Sequence, residues 1–286
     1  MAKDSLKGAE GMETAEIILK EPKAILYWNN DVLKHMEYCG RVCYNSTDKR
    51  TEDSAEKFLD GIIKRGHLTV LEHAGVNVDS DDFKFNFDLI KEDQPEFGLL
   101  MARANLGSVR YADMIRYDSR YTTAASLKKL PRAADVLTFI VDASRSCTHQ
   151  FVRHRNMSFC ERSFRFVEPE KLEVILEEPP TTEQTKLLAE SFRIYKESIK
   201  AGMSKDEARA YLPMCTATRL VATAQASWWL EFLKLRLHPA ASKEIIRIAD
   251  QIYLRCPDII KKRATELGLD EQFQKAREKC GIKKIS

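Results

Sequence analysis

The sequence predicts an α+β fold, or an α/β fold, in which a small central sheet is flanked by helices. Apolar residues alternate in short runs near the front and the middle of the chain, as they do in strands. Apolar residues recur at helical spacing through the last third of the chain. The length of 286 residues suits one large domain or two small ones, and we expect residues 15–286 to form one domain behind a flexible lead over residues 1–14.

The front half of the chain contains two predicted strands and two predicted helices. The strands cover residues 15–20 and 67–79. The first helix covers 31–45 and is capped by Asn30 or Asp31. The second helix covers 51–66, with Thr51 or Ser54 as its cap and Gly66 as its end. Residues 80–135 follow neither pattern, and we predict that they form an insertion.

The second half begins with a predicted strand and continues mainly as helices. Residues 135–143 form the strand, 144–155 a helix capped by Ser144, 156–162 an irregular segment, and 163–176 an extended segment. Further helices are predicted over 181–202, 204–213, 218–237 and 240–267. Ser204 and Glu207 have the spacing of a capping box. Residues 218–237 are apolar on more than one side, which predicts a buried helix, and Pro257 interrupts the last one.

The charge balance limits the classes of partner. The chain has 46 basic and 43 acidic residues and a net charge of +3, whereas a general nucleic-acid binder has a strong basic excess. No apolar run reaches the roughly 18 residues that a membrane span needs. The first residues lack an apolar signal region. These observations predict a cytoplasmic protein without a membrane or nucleic-acid partner.

The cysteines indicate buried thiols rather than disulfides or a metal site. There are seven of them, an odd number with irregular spacing and without a secretory signal. Cys39 and Cys43 lie one helical turn apart, with His35 one turn earlier. A zinc site there lacks a second ligand pair, so we predict no metal.

The segment "RHRNMSFCERSFRF", residues 153–166, concentrates four arginines among aromatic residues. Three interpretations are open at this point. The arginines could be solvated surface residues, they could bind single-stranded nucleic acid between stacking aromatic rings, or they could line a pocket for a phosphorylated small molecule with a flat ring.

Four ordered motifs resemble those of the flavin-dependent thymidylate synthases. They are "GHLTVLEH" at 66–73, Arg153-His154-Arg155 followed after seven residues by Ser163, "EARAYLP" at 207–213, and "FLKLRL" at 232–237. The resemblance covers about 66–79 and 136–250. It implies reductive methylation of dUMP at C5 to dTMP, with methylenetetrahydrofolate as carbon donor and NADPH-reduced FAD as hydride source. It also implies a homotetramer whose active sites are shared between subunits.

The resemblance assigns roles to individual residues. Arg236 falls where the family has a catalytic arginine that assists ionisation of the pyrimidine at N3. The nucleotide-binding positions match Gln150, Arg153, Glu161, Arg162, Ser163, Arg165, Arg209 and Arg236. The FAD-binding positions match His73, Arg153, His154, Arg155, Glu161, Gln225 and Glu231. Two alternatives stay open: His73 could be an ordinary hydrogen-bonded histidine at the end of a helix or strand, and Arg236 could complement a helix dipole.

The sequence also departs from the family pattern. Cys160 stands where the family usually has Asn, and Phe166 stands where it has Tyr. Gln225, Ser227 and Glu231 stand where some members use Asn, Arg and Asn to hold FAD. Two further functions therefore remain: C5 methylation of another pyrimidine nucleotide such as UMP, or a non-catalytic nucleotide- or RNA-binding homologue.

Overall fold

The computed structural model describes residues 5–6, 17–77, 108–112, 122–128 and 135–282. The strands are β1 Ser5–Leu6, β2 Ile17–Leu19, β3 Lys23–Tyr27, β4 Gly75–Asn77, β5 Ser108–Arg110, β6 Val136–Ser144, β7 Ser158–Glu161, β8 Leu172–Val174 and β9 Ala217–Gln225. The α-helices are α1 Val32–Cys43, α2 Ser54–Lys64, α3 Ala124–Leu127, α4 Arg145–Phe151, α5 Thr182–Lys200, α6 Lys205–Ala208, α7 Ala226–Arg236, α8 Lys243–Arg255, α9 Asp258–Glu266 and α10 Asp270–Lys279. Short 3₁₀ helices cover Thr47–Lys49, Leu68–His73 and Arg209–Tyr211.

A four-stranded antiparallel sheet, in the order β3-β6-β9-β7, forms the centre of the fold. A smaller sheet has the order β1-β2-β8, and β4 pairs with β5. Helices α7, α8, α9 and α10 contribute to the apolar core on one face of the central sheet. Helices α1, α2 and α3 contribute to the core on the other face. The predicted fold class, a small sheet flanked by helices, is confirmed.

The prediction of one helix over 218–237 was wrong in its first half. Residues 217–225 form β9, and α7 begins directly at Ala226. β9 pairs on both sides and is covered by helices on both faces, so its residues are buried in both directions. A central strand of this kind is apolar all round and resembles a buried helix in its pattern. The threonines and valines of "ATRLVATAQ" favour the strand.

Several helix boundaries coincide with capping residues in the sequence, whereas some other elements differ from the prediction. Asp31 caps α1 by accepting from two backbone N–H groups, and the predicted capping box joins Ser204 to Glu207. Gly66, at φ +70°, follows the end of α2. Two predictions were incomplete or wrong, and two elements were missed. The segment 67–79 starts as a 3₁₀ helix, the segment predicted as irregular contains β7, and β3 and α10 were not predicted.

The predicted flexible lead and insertion lie largely outside the residues that the structure describes. Within residues 1–14, Ser5–Leu6 pair with β2, and the other residues of that lead lie outside the described part of the chain. Within 80–135, only 108–112, 122–128 and residue 135 are described. The division into lead, domain and insertion stays a prediction. None of the helices in the described segments is both long and apolar enough to cross a membrane.

A buried ion pair ties α10 to α8. Arg277 Nε donates to Asp250 Oδ1 over 2.6 Å, and the Asp250 side chain is 5% exposed. We expect Arg277→Met to destabilise the fold by about 3–5 kcal/mol, because it leaves a carboxylate buried without its partner. Urea unfolding followed by circular dichroism measures the loss. A double variant with Asp250→Asn should recover part of it, and an unchanged midpoint in the single variant would contradict the prediction.

Candidate functional site

A polar cleft of about 460 Å³ lies beside the carboxyl end of β7. It is lined by α4, by the segment after β7, and by the segment after α6; the lining residues include Arg145, His149, Glu161, Arg162, Ser163 and Arg209. Three guanidinium groups and one carboxylate therefore face one cavity whose size suits a small molecule. This arrangement favours an anionic ligand, and it brings together four of the predicted nucleotide-binding residues.

Arg162 is a largely buried arginine in the wall of the cleft. Its backbone N–H donates to the Arg219 carbonyl over 2.8 Å, which extends the pairing of β7 with β9. Its side-chain Nε is buried and has no hydrogen-bond partner among the described residues. Burial, and then the neighbouring Arg219 guanidinium, lowers the pKa of Arg162 below its ordinary value. An anion in the cleft would supply the missing partner.

Arg145 and Glu161 form an ion pair on one wall of the cleft. Arg145 Nη1 lies 2.7 Å from Glu161 Oε1, and the Thr148 hydroxyl donates to the same oxygen over 2.9 Å. The pair connects α4 to β7 and neutralises the Glu161 carboxylate. The remaining positive charge of the cleft is that of Arg162 and of Arg209, which itself shares the Asp206 carboxylate with Arg165.

Arg209 and Arg165 share a single carboxylate. Arg209 Nη2 lies 2.8 Å from Asp206 Oδ1, whereas Arg165 Nε lies 3.6 Å from Asp206 Oδ2. The Arg209 side chain lines the cleft, but Arg165 is 59% exposed and lies over the Phe166 ring. Among these two predicted nucleotide-binding residues, only Arg209 belongs to the cleft wall.

Arg236, the last residue of α7, contacts the C-terminal end of α4 and is not among the residues that line the cleft. Its Nε donates to His154 Nε2 and its Nη2 donates to the Gln150 carbonyl, each over 3.0 Å. Nη1 has no hydrogen-bond partner among the residues that the structure describes, so it can serve a ligand. Burial is the main cause that lowers the pKa of Arg236, and Arg153 adds to it.

His154 is neutral at physiological pH. Burial, and then the charge of Arg236, lowers its pKa to about 4. Since a guanidinium only donates, His154 Nε2 must carry the lone pair, and the ring proton sits on Nδ1. The ring also packs 4.9 Å from that of Phe232. His154 therefore holds Arg236 in place without competing for anions.

Residues at the N-terminus of α8 form hydrogen bonds with both ends of α4. The Glu244 carboxylate accepts from the backbone N–H and the hydroxyl of Ser144, both over 2.7 Å. Gln150 Nε2 donates to the Ser242 hydroxyl over 3.1 Å. Because α4 carries Arg145, this support fixes the cleft and the Arg236 cluster relative to each other.

The two outer residues of the Arg153-His154-Arg155 motif are exposed. Neither Arg153 nor Arg155 forms an ion pair within the described segments. Two unpaired guanidinium groups on one exposed turn fit the diphosphate of a dinucleotide such as FAD. The other predicted FAD residues differ: Gln225 contacts Asp135 over 3.3 Å, and Glu231 is half exposed with Lys234 at 4.0 Å.

His73 is fully buried on the opposite face of the sheet from His154. Its Nδ1 lies 2.7 Å from the Thr223 hydroxyl. Thr223 points to the face covered by α1 and α2, as does Val221 two residues earlier, whereas Phe232 belongs to the other core. One chain therefore does not bring His73 and the Arg153–Arg155 motif onto one surface.

The cleft also contains residues that the sequence analysis did not assign. Arg145 and His149 line it from one face of α4, and Thr148 orients Glu161. Arg145 and His149 are four residues apart in a helix capped by Ser144, and this spacing was the signal that could have placed them on one helix face. No motif singled them out.

The structure places the cysteines as separate thiols. All seven are free, and burial raises the pKa of Cys147 and Cys256 above the ordinary value. Cys160 is buried next to Cys43 and faces the core with α1, away from the cleft. The described residues contain no group of His, Cys, Asp or Glu arranged to hold a metal ion.

Stability should depend on pH through His73. Burial, and then Arg110, lowers the pKa of His73 to about 3, whereas an unfolded histidine takes up its proton near 6.5. The unfolded state therefore binds the extra proton first, and stability is lost as pH falls from 6.5 towards 3, with a slope up to about 1.4 kcal/mol per pH unit. We expect His73→Gln to flatten this slope in urea titrations at several pH values. His67→Gln, at an exposed histidine, is the control; equal slopes in wild type and His73→Gln would contradict the assignment.

Comparisons with known proteins agree with the motifs. Residues 131–260 match the family model described as thymidylate synthase complementing protein. A flavin-dependent thymidylate synthase from Thermococcus onnurineus is 34% identical over 125 residues, which cover 40% of this chain and 51% of that protein. The chain thus spans about half the length of that relative. A flavin-dependent thymidylate synthase from Mycobacteroides abscessus is 25% identical over 239 residues, which cover 75% of this chain and 71% of that protein.

One solved structure also resembles this chain. It is the crystal structure of a UMP/dUMP methylase, PolB from Streptomyces cacaoi, bound with 5-Br UMP. The TM-score is 0.40 at 16% sequence identity, and the match covers 92% of this chain and 97% of the PolB chain.

Proposed function

We propose, from the family match over residues 131–260 and the similarity to flavin-dependent thymidylate synthases, that the chain belongs to that family and methylates dUMP at C5 to give dTMP. The observation that supports this best is the cleft, where Arg162, Arg209 and Ser163 face one cavity beside an orphaned guanidinium nitrogen. Such a cavity suits the phosphate of a nucleotide because guanidinium groups bind phosphate through charge-assisted hydrogen bonds. Glu161, already paired with Arg145, offers its remaining lone pairs to sugar or ring donors.

Arg236 would supply the electrostatic part of the reaction. C5 of uracil is a weak nucleophile until negative charge develops on the ring, which happens as N3 loses its proton. A guanidinium that stays protonated stabilises that charge. Arg236 is suited to this role because His154 and Gln150 fix it from one side and leave Nη1 available.

The exposed motif Arg153-His154-Arg155 would hold the diphosphate of FAD. When bound, the flavin, reduced by NADPH, supplies the hydride, and methylenetetrahydrofolate supplies the carbon. The chain's contribution is a pair of unpaired cations and a neutral imidazole that anchors Arg236. Gln225, the last residue of β9, and Glu231, on α7, would add contacts to the flavin.

We further propose that complete sites form between subunits of a homotetramer. The support is the position of His73, which lies across the sheet from the Arg153–Arg155 motif. A flavin that contacts both needs His73 from one copy and the motif from another. The cytoplasmic location stays a prediction of the sequence.

An absorption spectrum and a turnover assay test the proposal together. The purified protein should be yellow and should oxidise NADPH faster when dUMP is added, with dTMP as product in the presence of methylenetetrahydrofolate. A colourless protein that binds no added FAD would overturn it. Equal or higher turnover with UMP would instead move the assignment to the alternative substrate, and RNA binding without NADPH oxidation would indicate the non-catalytic homologue.

A further inference from the structure

A row of charged residues crosses the central sheet near the cleft. Lys23 on β3 is paired with Asp142 on β6, and Asp142 is paired with Arg219 on β9. The backbone N–H of Arg162, the residue after β7, donates to the Arg219 carbonyl over 2.8 Å and continues the register of β7 with β9. The row therefore places one carboxylate among three cations.

The row lies on the face of the sheet that α1 and α2 cover. Ile140, Val221 and Cys160, each two residues from a member of the row, belong to the core on that face, and residues two apart in a strand share a face. Adjacent strands are about 4.8 Å apart, so the backbones of Asp142 and Arg162 lie on the order of 10 Å apart with β9 between them. An extended arginine and an aspartate together span that distance.

Arg219 occupies both oxygens of Asp142. Its Nε lies 2.6 Å from Asp142 Oδ1 and its Nη2 lies 2.8 Å from Oδ2, so the two side chains form a bidentate pair. Lys23, on the other side of Asp142, forms no ion pair with it in the part of the chain that the structure describes. The Asp142 carboxylate is therefore neutralised by Arg219 alone among the cations of the row.

The Arg162 side chain forms no hydrogen bond or ion pair among the described residues, and two cavities border it. It lines the cleft and also a smaller cavity of about 290 Å³, where Glu173 is paired with Lys20 over 3.0 Å. Burial is the main cause that lowers the pKa of Arg162 and Arg219 adds to it, whereas Glu173 and then Asp142 act in the opposite direction. Arg162 therefore lies near two carboxylates, each of which another cation holds.

We propose that Arg219 is a positioning residue for nucleotide binding, because by occupying both oxygens of Asp142 it keeps this carboxylate from drawing Arg162 out of the cleft. A carboxylate without its partner attracts a nearby cation. Lys23 is exposed and gains little from such a pair, whereas Arg162 is largely buried and its Nε lacks a partner among the described residues. The nucleotide as ligand rests on the proposed function, whereas the competition for Asp142 does not.

Calorimetric titrations with dUMP in a double-mutant cycle test the proposal. Arg219→Met should weaken dUMP binding about 10-fold, which approaches the loss of the Arg162 contact itself. Asp142→Asn should bind dUMP at least as tightly as wild type, and in that background Arg219→Met should cost almost nothing. If Arg219 acted only as one more positive charge near the ligand, its replacement would weaken binding equally in both backgrounds, and that result would overturn the proposal.

Lys23→Met is the matched control, because it removes a cation from the same row without releasing Asp142. It should leave dUMP binding unchanged. The Asp142 side chain is 26% exposed, so water can serve it in Arg219→Met and the fold should persist. Arg219→Gln, which is also neutral but keeps a donor beside Asp142, takes its place in the cycle if the methionine variant does not fold. Where dTMP formation is detected, Arg219→Met should raise KM for dUMP with little change in kcat.

A crystal structure of the Arg219 variant without nucleotide separates this proposal from the proposed function. Arg162 should donate to Asp142 and should no longer line the cleft. Arg162 still in the cleft, or Asp142 paired with Lys23 instead, would overturn the proposal. If wild type binds no dUMP, the proposed function fails, and the position of Arg162 in this structure still decides the role of Arg219.

Discussion

Arg236→Ala is expected to lower dTMP formation about 10²–10³-fold, which matches the loss of one electrostatic stabiliser. The guanidinium is fixed by two hydrogen bonds of 3.0 Å, to His154 and to the Gln150 carbonyl. Its removal leaves a neutral imidazole and a helix-end carbonyl, both of which water can serve. The melting temperature should therefore change little, and steady-state kinetics at saturating dUMP measure the effect.

Two further variants sharpen this prediction. Arg236→Lys keeps the charge but loses the forked geometry, so we expect an intermediate rate. Lys234→Ala, at an exposed position of the same helix, should be close to wild type. A rate for Arg236→Ala within a few-fold of wild type would show that another group carries the charge stabilisation.

Arg162→Met is expected to weaken dUMP binding without destabilising the fold. The loss of a charge-assisted hydrogen bond to phosphate, worth about 1.5–3 kcal/mol, should weaken dUMP binding roughly 10–100-fold. The fold should be as stable as wild type or more stable, because the variant removes a buried cation whose Nε has no partner. Isothermal titration calorimetry and thermal unfolding of the same samples measure the two effects.

Arg255→Met provides the control for Arg162→Met. Arg255 is exposed at the end of α8, where its side chain donates to the Gln251 carbonyl. Its replacement should leave nucleotide binding unchanged. If Arg162→Met bound dUMP as tightly as wild type, the cleft would not be the phosphate site.

Local signals predicted the starts of several helices because capping is a local interaction. Asp31 and the Ser204–Glu207 capping box satisfy backbone groups within three residues, so their patterns can be read without the fold. β9 could not be identified in this way. Its apolar character on all sides depends on being the third strand of a sheet covered on both faces, which is a property of the whole fold.

The residues of the candidate site divide in the same way, into those that local motifs identify and those that only the fold brings together. The motif around Arg153 and Ser163 predicted a nucleotide site, and the structure brings Arg162, Ser163 and Arg209 together in one cleft, whereas nucleotide binding there stays a proposal. The contact between His73 and Thr223 joins residues 150 positions apart and depends on strand register. Arg145 was missed because its importance comes from the pairing of α4 with β7 and from no recognisable motif.

Because β9 continues directly into α7, the side-chain register of residues 217–236 is fixed as one unit. Alternate side chains of the strand serve two different purposes: Thr223 points to His73, while Ala222 and Ala224 pack under Trp229 and its neighbours. Inserting one residue between Leu220 and Thr223 would exchange the two sets and place a methyl group where the hydroxyl belongs. No loop separates the strand from the helix to absorb the shift, so Arg236 would move as well. An insertion or deletion within residues 217–236 is therefore expected to be poorly tolerated.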